Sequence, residues 1–215
     1  GNYTEKDVYE CSRAFTGWTF KTSMPGFRWG QFFWEFEYRP EDHDNGDKTF
    51  LGHTGPLNGE DIMDIIVQQP ACARFIARHL YNFFVAEEPQ VSAWSIEAPR
   101  DPDAVDHLSK SLVDSAFDIK TVLRTLFNSE FFKEARYRKV KNPAEILVGT
   151  LKLTGDLQGP DYRWGTIPLE GQYMGQDLLN PPSVEGWHTG KEWINSGALM
   201  NRLNFVADYV RRTEL

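Results

Sequence analysis

Cysteine is nearly missing from this chain: Cys11 and Cys72 are the two among 215 residues. Thiols so far apart supply neither the C-x-x-C pairs of a zinc site nor the dense framework of a disulfide-stapled domain. Both fall on apolar helical stripes and read as buried free thiols, with a single disulfide as the alternative. Positive charge is short as well. Lys and Arg number 23 against 31 Asp and Glu, a net charge of -8. A field of that sign repels phosphate backbones and anionic lipid, so nucleic acid is not an expected partner. Apolar runs are broken and mean hydropathy is -0.50, so no membrane span is expected. No basic segment leading into an apolar stretch opens the chain, and no targeting peptide is read within it. The motifs G-x-S-x-G, H-E-x-x-H and G-x-G-x-x-G are lacking, which removes local support for serine hydrolase, zincin and dinucleotide chemistry. Gly186 to Lys191 resembles a phosphate loop only superficially, because three residues separate its glycines and Glu192 follows the lysine.

What is present suffices for a core. Apolar residues make up 40% and aromatics 14%, and the length suits a single domain over 1–215. Helix starts are marked by Thr4 with Asp7, Asn58 before Gly59, Asp101-Pro102, Asp118, and Asn142-Pro143-Ala144-Glu145. Pro70 opens a further helix through Phe75, Leu80 and Phe84. Ser196 reads as the cap of a last helix lined by Leu199, Leu203, Val206 and Val210. Residues 31–39 change period: Phe32, Trp34, Phe36 and Tyr38 share one face, which predicts a strand with one buried side. Asn45-Gly46 then predicts a hairpin whose return strand is Thr49 to Leu51. Residues 89–102 read as a surface loop, and 155–168 as a long irregular one. The fold class is mainly α, an orthogonal helical domain with one small antiparallel β-hairpin.

Two segments carry candidate chemistry. The acidic turn Glu41 to Asp47 gathers four carboxylates, an imidazole and an amide, a donor set able to hold a divalent metal. Its register does not fit a calcium loop, since Gly52 stands where the closing Glu would be. Asp42, His43, Asp44 and, if it approaches, His53 are the candidate metal ligands. His43 is the group there that titrates near neutrality, so it is the candidate general base, with Asp44 orienting it and Lys48 stabilising negative charge. The plainer alternative is a solvated turn in which Asp44 binds nearby backbone donors and His43 packs on Lys48 or an aromatic ring.

Residues 175–193 are rich in Gly, Pro and Trp, the makings of a rigid irregular loop. Trp187 and Trp193 are candidates to stack on a sugar ring or peptide side chain, with Gln176, Asn180 and His188 as hydrogen-bonding groups. The alternative is that the indoles plug the core. Arg202 suits either an anionic ligand or an internal salt bridge. His79 and His107 read as structural.

Three ordered blocks resemble one bacterial family, the domain of unknown function numbered 1800 (DUF1800). They are Tyr3 to Val8 with Ala14-Phe15-Thr16-Gly17-Trp18; His43 to Gly52; and Gly175-Gln176, Pro181 to Trp187, Gly190, Trp193-Ile194-Asn195-Ser196 and Arg202. Asn142-Pro143-Ala144-Glu145 also fits its K-x-P-x-E region. The resemblance implies an exported bacterial protein, periplasmic or extracellular, of which this chain is the C-terminal half. An absent N-terminal half would then be one partner. No reaction comes with it. The reading is an envelope-associated binding or assembly component, whose partner is a cell-envelope glycan or protein and whose surface is the 175–195 segment with the hairpin tip. The alternative is a metal-assisted hydrolase centred on His43 and Asp44. A third reading places any chemistry in the absent half.

Overall fold

Local caps start the helices. The computed structural model describes residues 2–23, 33–89, 91–155, 159, 162–184, 186–187 and 189–213. Helix α1 (Glu5–Ala14) opens on a capping box, in which Asp7 N–H donates to Thr4 Oγ1 at 3.3 Å and Thr4 N–H to the Asp7 carboxylate at 2.7 Å. Asn58 with Asp61 does the same for α2 (Gly59–Val67), and α3 (Pro70–Phe84) starts at its proline. Asp101 caps α4 (Pro102–Asp114), and Asp118 caps α5 (Ile119–Asn128). The short α6 (Glu130–Glu134) follows, then α7 (Pro143–Thr154) with its Asn142 and Glu145 box. Helix α8 (Ile167–Tyr173) and the long α9 (Ser196–Thr213) complete the helices described. The chain is mainly helical, and among the described residues no helix is long and apolar enough to cross a membrane.

Several details depart from the expectations. The cap of α9 is Asn195, whose Oδ1 accepts the Ala198 N–H at 3.0 Å, rather than Ser196. Helices α6 and α8 are too short to show a period. Of the expected loop 155–168, residues 156–158, 160 and 161 lie outside the described residues, while Tyr162–Gly165 form a 3-10 turn.

The largest departure is in the strands. The expected pairing of 31–39 with Thr49 to Leu51 does not form among the described residues, and Gln31 and Phe32 lie outside them. Instead β1 (Trp18–Ser23) pairs antiparallel with β2 (Phe33–Tyr38), Trp18 facing Tyr38 and Phe20 facing Phe36. A separate hairpin joins β3 (Lys48–Phe50) to β4 (His53–Gly55). Its turn is Leu51-Gly52, both at positive φ, whereas Asn45 and Gly46 have no positive φ. Gly17 supplies the bend into β1 at φ +82, where a Cβ would stand 2.5 Å from Arg39 O.

By its contacts the chain divides into two compact units, 1–76 and 77–215. In the first, α1 packs on β3 and α2 around Ala14, Phe50, Ile62 and Ile65, with Cys11, Phe15, Leu51 and Leu57 against them. Gly59 brings α2 close to Trp18 and Phe15, leaving a Cβ 2.6 Å from the indole. Within the second unit α4 packs on α5 through Val105, Leu108, Leu112, Val122 and Leu126. Also there, α7, α8 and α9 enclose Leu147, Leu151, Met174 and Phe205. The loop 86–100 is fastened by a buried ion pair, Arg78 to Glu88 at 2.7 Å, whose arginine also donates to Glu97 O and Ala98 O. Cys11 and Cys72 are free, half-buried thiols, and burial pushes both pKa values up.

Candidate functional site

In the first unit, α1 delivers to the acidic turn the residues that organise it. Arg13, in the last turn of α1, forks onto Asp44, with Nε to Oδ2 at 2.7 Å and Nη2 to Oδ1 at 3.2 Å. Its Nη1 bonds Glu10 at 2.7 Å and Asp47 O at 3.2 Å. Gly46 N–H adds a third donor to Asp44 at 2.9 Å. The Arg13 hydrogen bond first, then the Gly46 N–H, lowers the Asp44 pKa to about 2. Asp44 in turn raises that of Arg13.

Thr16 is the hub beneath the turn. Its Oγ1 accepts the Asp44 N–H at 2.8 Å and donates to Arg13 O at 2.6 Å. Its carbonyl accepts the His43 Nδ1–H at 2.8 Å, which places the proton on Nδ1. The His43 ring lies edge-on to Tyr38 at 5.8 Å. Lys48 is fully buried, and its ammonium donates to Asp44 O and to Gly46 O. The lysine therefore ties the turn's carbonyls together, while the plainer alternative's backbone donor to Asp44 is the Gly46 N–H and its aromatic neighbour of His43 is Tyr38. Asp42 and His53 are exposed, His53 standing opposite Phe50 in the β3–β4 pair. Among the described residues no three of His, Cys, Asp and Glu come close enough to share a metal ion. Arg13, Thr16 and Glu10 were not among the candidate site residues, although Thr16 stands in one of the blocks that carry the family resemblance. Arg13 and Glu10 stand three apart on α1, but nothing local links them to Asp44.

In the second unit Gln176 and Trp193, two of the residues expected to bind a ligand, serve the interior. Gln176 is buried, and its Oε1 accepts the Ala144 N–H at 2.9 Å, finishing the cap of α7. Trp193 is 5% exposed and belongs to the interior. Trp187 is half-buried, with its Nε1 sealed from solvent and without an acceptor among the described residues. Asn180 is exposed and bonds Asp177 at 3.0 Å. His188 lies outside the described residues. Arg202 is 6% exposed, and its Nη1 donates to Lys141 O at 2.8 Å. The expected internal salt bridge to Arg202 is not made among the described residues, and burial lowers its pKa.

A surface unforeseen in the sequence lies on the β1–β2 sheet. Its aromatic face was expected to be buried, but Trp34 is 60% and Phe36 64% exposed, with Phe20 and Tyr38 exposed beside them. Phe20 stacks against Trp34 at 4.0 Å, while Phe36 meets Trp18 edge-on at 5.1 Å. The opposite side carries Lys21, Glu35 and Glu37, with Lys21 paired to Glu35. Two-residue alternation is therefore present, and its apolar side faces outward.

A family model described as "Protein of unknown function (DUF1800)" matches residues 1–213. The match carries no sign that the chain is a C-terminal half. No curated protein and no solved structure matches the chain.

Proposed function

The chain belongs to the DUF1800 family, whose function is unknown, and from that premise we propose that it is a binding or assembly component that offers an aromatic surface to its partner. The observation that carries this reading is the outward row of Phe20, Trp34, Phe36 and Tyr38 on the β1–β2 sheet. Large rings on a surface are costly to leave in water and gain most when a partner covers them. Flat ring faces suit the C–H faces of sugars as well as apolar protein side chains. The envelope setting, periplasmic or extracellular, rests on the family resemblance, and the partner class follows from it: a cell-envelope glycan or protein.

The alternative of metal-assisted hydrolysis at His43 and Asp44 has less support. Both Asp44 oxygens are engaged by Arg13 and Gly46, and the Lys48 ammonium by backbone carbonyls. The test is binding of the purified chain to arrayed envelope glycans, peptidoglycan and envelope proteins. Trp34→Ala and Phe36→Ala should each weaken capture at least tenfold, because truncating a central aromatic anchor costs about 2 kcal/mol or more, while the circular dichroism stays unchanged. Capture by both variants equal to that of the parent chain would refute the surface.

A further inference from the structure

Helix α9 carries two rows of side chains along its contact with α8. Asn204, Asp208 and Arg212 follow one another at one-turn intervals and are exposed, and Phe205 and Tyr209 form the row beside them. With Glu170 of α8 they line a cavity of about 260 Å3. That is just below the range of about 300–1,000 Å3 found for drug-sized ligands, which leaves room for a small metabolite.

The floor of the cavity is fixed by packing. Phe205 is 5% exposed and belongs to the core of α7, α8 and α9, with Tyr209 packed against that core. The two rings lie 4.5 Å apart between centroids. Asn201, one turn before Phe205, ties α9 to the end of α8 through its Nδ2, which donates to Tyr173 O at 2.7 Å. Arg212 lies over the Tyr209 ring at 4.9 Å, so the guanidinium is held at one end of the cavity. The site therefore joins an apolar floor to charges of both signs.

We propose that this cavity binds a free basic amino acid, of the diamino carboxylic class of lysine and ornithine. Its lining offers two carboxylates and one guanidinium. At neutral pH such a ligand brings two ammonium groups and one carboxylate, the same set of charges with the signs reversed. The ammonium groups meet Glu170 and Asp208, the carboxylate meets the Arg212 fork, and the methylene chain lies on the rings of Phe205 and Tyr209. The Asn204 amide can bond either end. A plain diamine would leave Arg212 facing added positive charge, and an amino acid with an uncharged side chain would leave one carboxylate unmet. The net charge of -8 draws cations toward the chain as a whole.

The test is a calorimetric titration of the purified chain with L-lysine at constant ionic strength. Norleucine, which lacks the second ammonium, and cadaverine, which lacks the carboxylate, are the comparison ligands. Lysine should bind saturably with a Kd of about 1 mM or tighter, and each comparison ligand at least tenfold more weakly. Asp208→Asn and Glu170→Gln should each weaken lysine at least tenfold. Arg212→Met should weaken lysine as much, yet bind cadaverine no less tightly than the parent chain, a reversal that loss of the fold would not produce. Asp208 and Arg212 are exposed, so their variants should keep the Tm of the parent chain. Lysine binding weaker than about 1 mM, norleucine or cadaverine binding as tightly as lysine, or parent-like lysine binding by any of the three variants overturns the proposal.

Discussion

Asp44 sits between a forked guanidinium and a backbone N–H, and both favour its ionised form. Its folded pKa is depressed to about 2, so the stabilisation it brings is complete above the unfolded carboxylate's pKa and disappears as pH falls through the folded value. Acid unfolding followed by tryptophan fluorescence should therefore steepen between about pH 4 and pH 2. Asp44→Asn, which cannot titrate, should lose that part of the curve and be less stable than the parent chain at neutral pH. An identical acid limb in the two proteins would show that the Arg13 fork contributes nothing. The turn's titratable and cationic side chains were legible in the sequence as a cluster. The roles of Asp44 and His43 were not, because they were assigned from the end of α1 and the residues just past it: Asp44 by Arg13, 31 positions earlier, and His43 by the Thr16 carbonyl, 27 positions earlier.

Elements repeat the lesson with faces in place of single groups. On α9 the expected stripe is rotated: Val206 packs against the core, but Leu203 is 57% exposed, and Leu199 and Val210 are exposed too, while Ala198, Arg202 and Phe205 face inward. Apolar residues at helical spacing fill both sides of this helix, so periodicity yields the helix and not the covered side. Phe205→Ala should cost about 3–5 kcal/mol by emptying the core of α7, α8 and α9, whereas Leu203→Ala should stay within about 0.5 kcal/mol. Urea unfolding of the two variants measures the difference, and equal losses would restore the sequence-based face. Strand β2 behaves alike: the alternation of Trp34, Phe36 and Tyr38 is present, yet its rings are exposed, because alternation separates two faces without deciding which one a core covers.

For the molecule as a whole, contacts far apart in sequence fasten loops within each compact unit. In the second, Arg78 and Glu88 form a pair nearly closed to solvent, with Trp94 against the guanidinium at 4.6 Å and Arg100 N–H on the Glu88 carboxylate at 2.9 Å. Removing one charge leaves the other buried and unpaired, so Glu88→Gln should destabilise the fold by about 3–5 kcal/mol. Glu88→Gln together with Arg78→Met should recover part of that loss, and a double variant no better than the single one would count against it. The sequence by itself determined where helices begin at Thr4, Asn58, Asp101, Asp118 and Asn142, because a cap and its amide lie within three residues. It also determined the mainly helical class and the family, which follow from local pattern and ordered motifs. Only the tertiary structure decided which strand pairs with which, which faces are covered, and that Asp44 is held by Arg13. Those outcomes depend on energies between groups brought together from distant positions, such as Arg202 and Lys141, 61 apart, and no spacing along the chain encodes them.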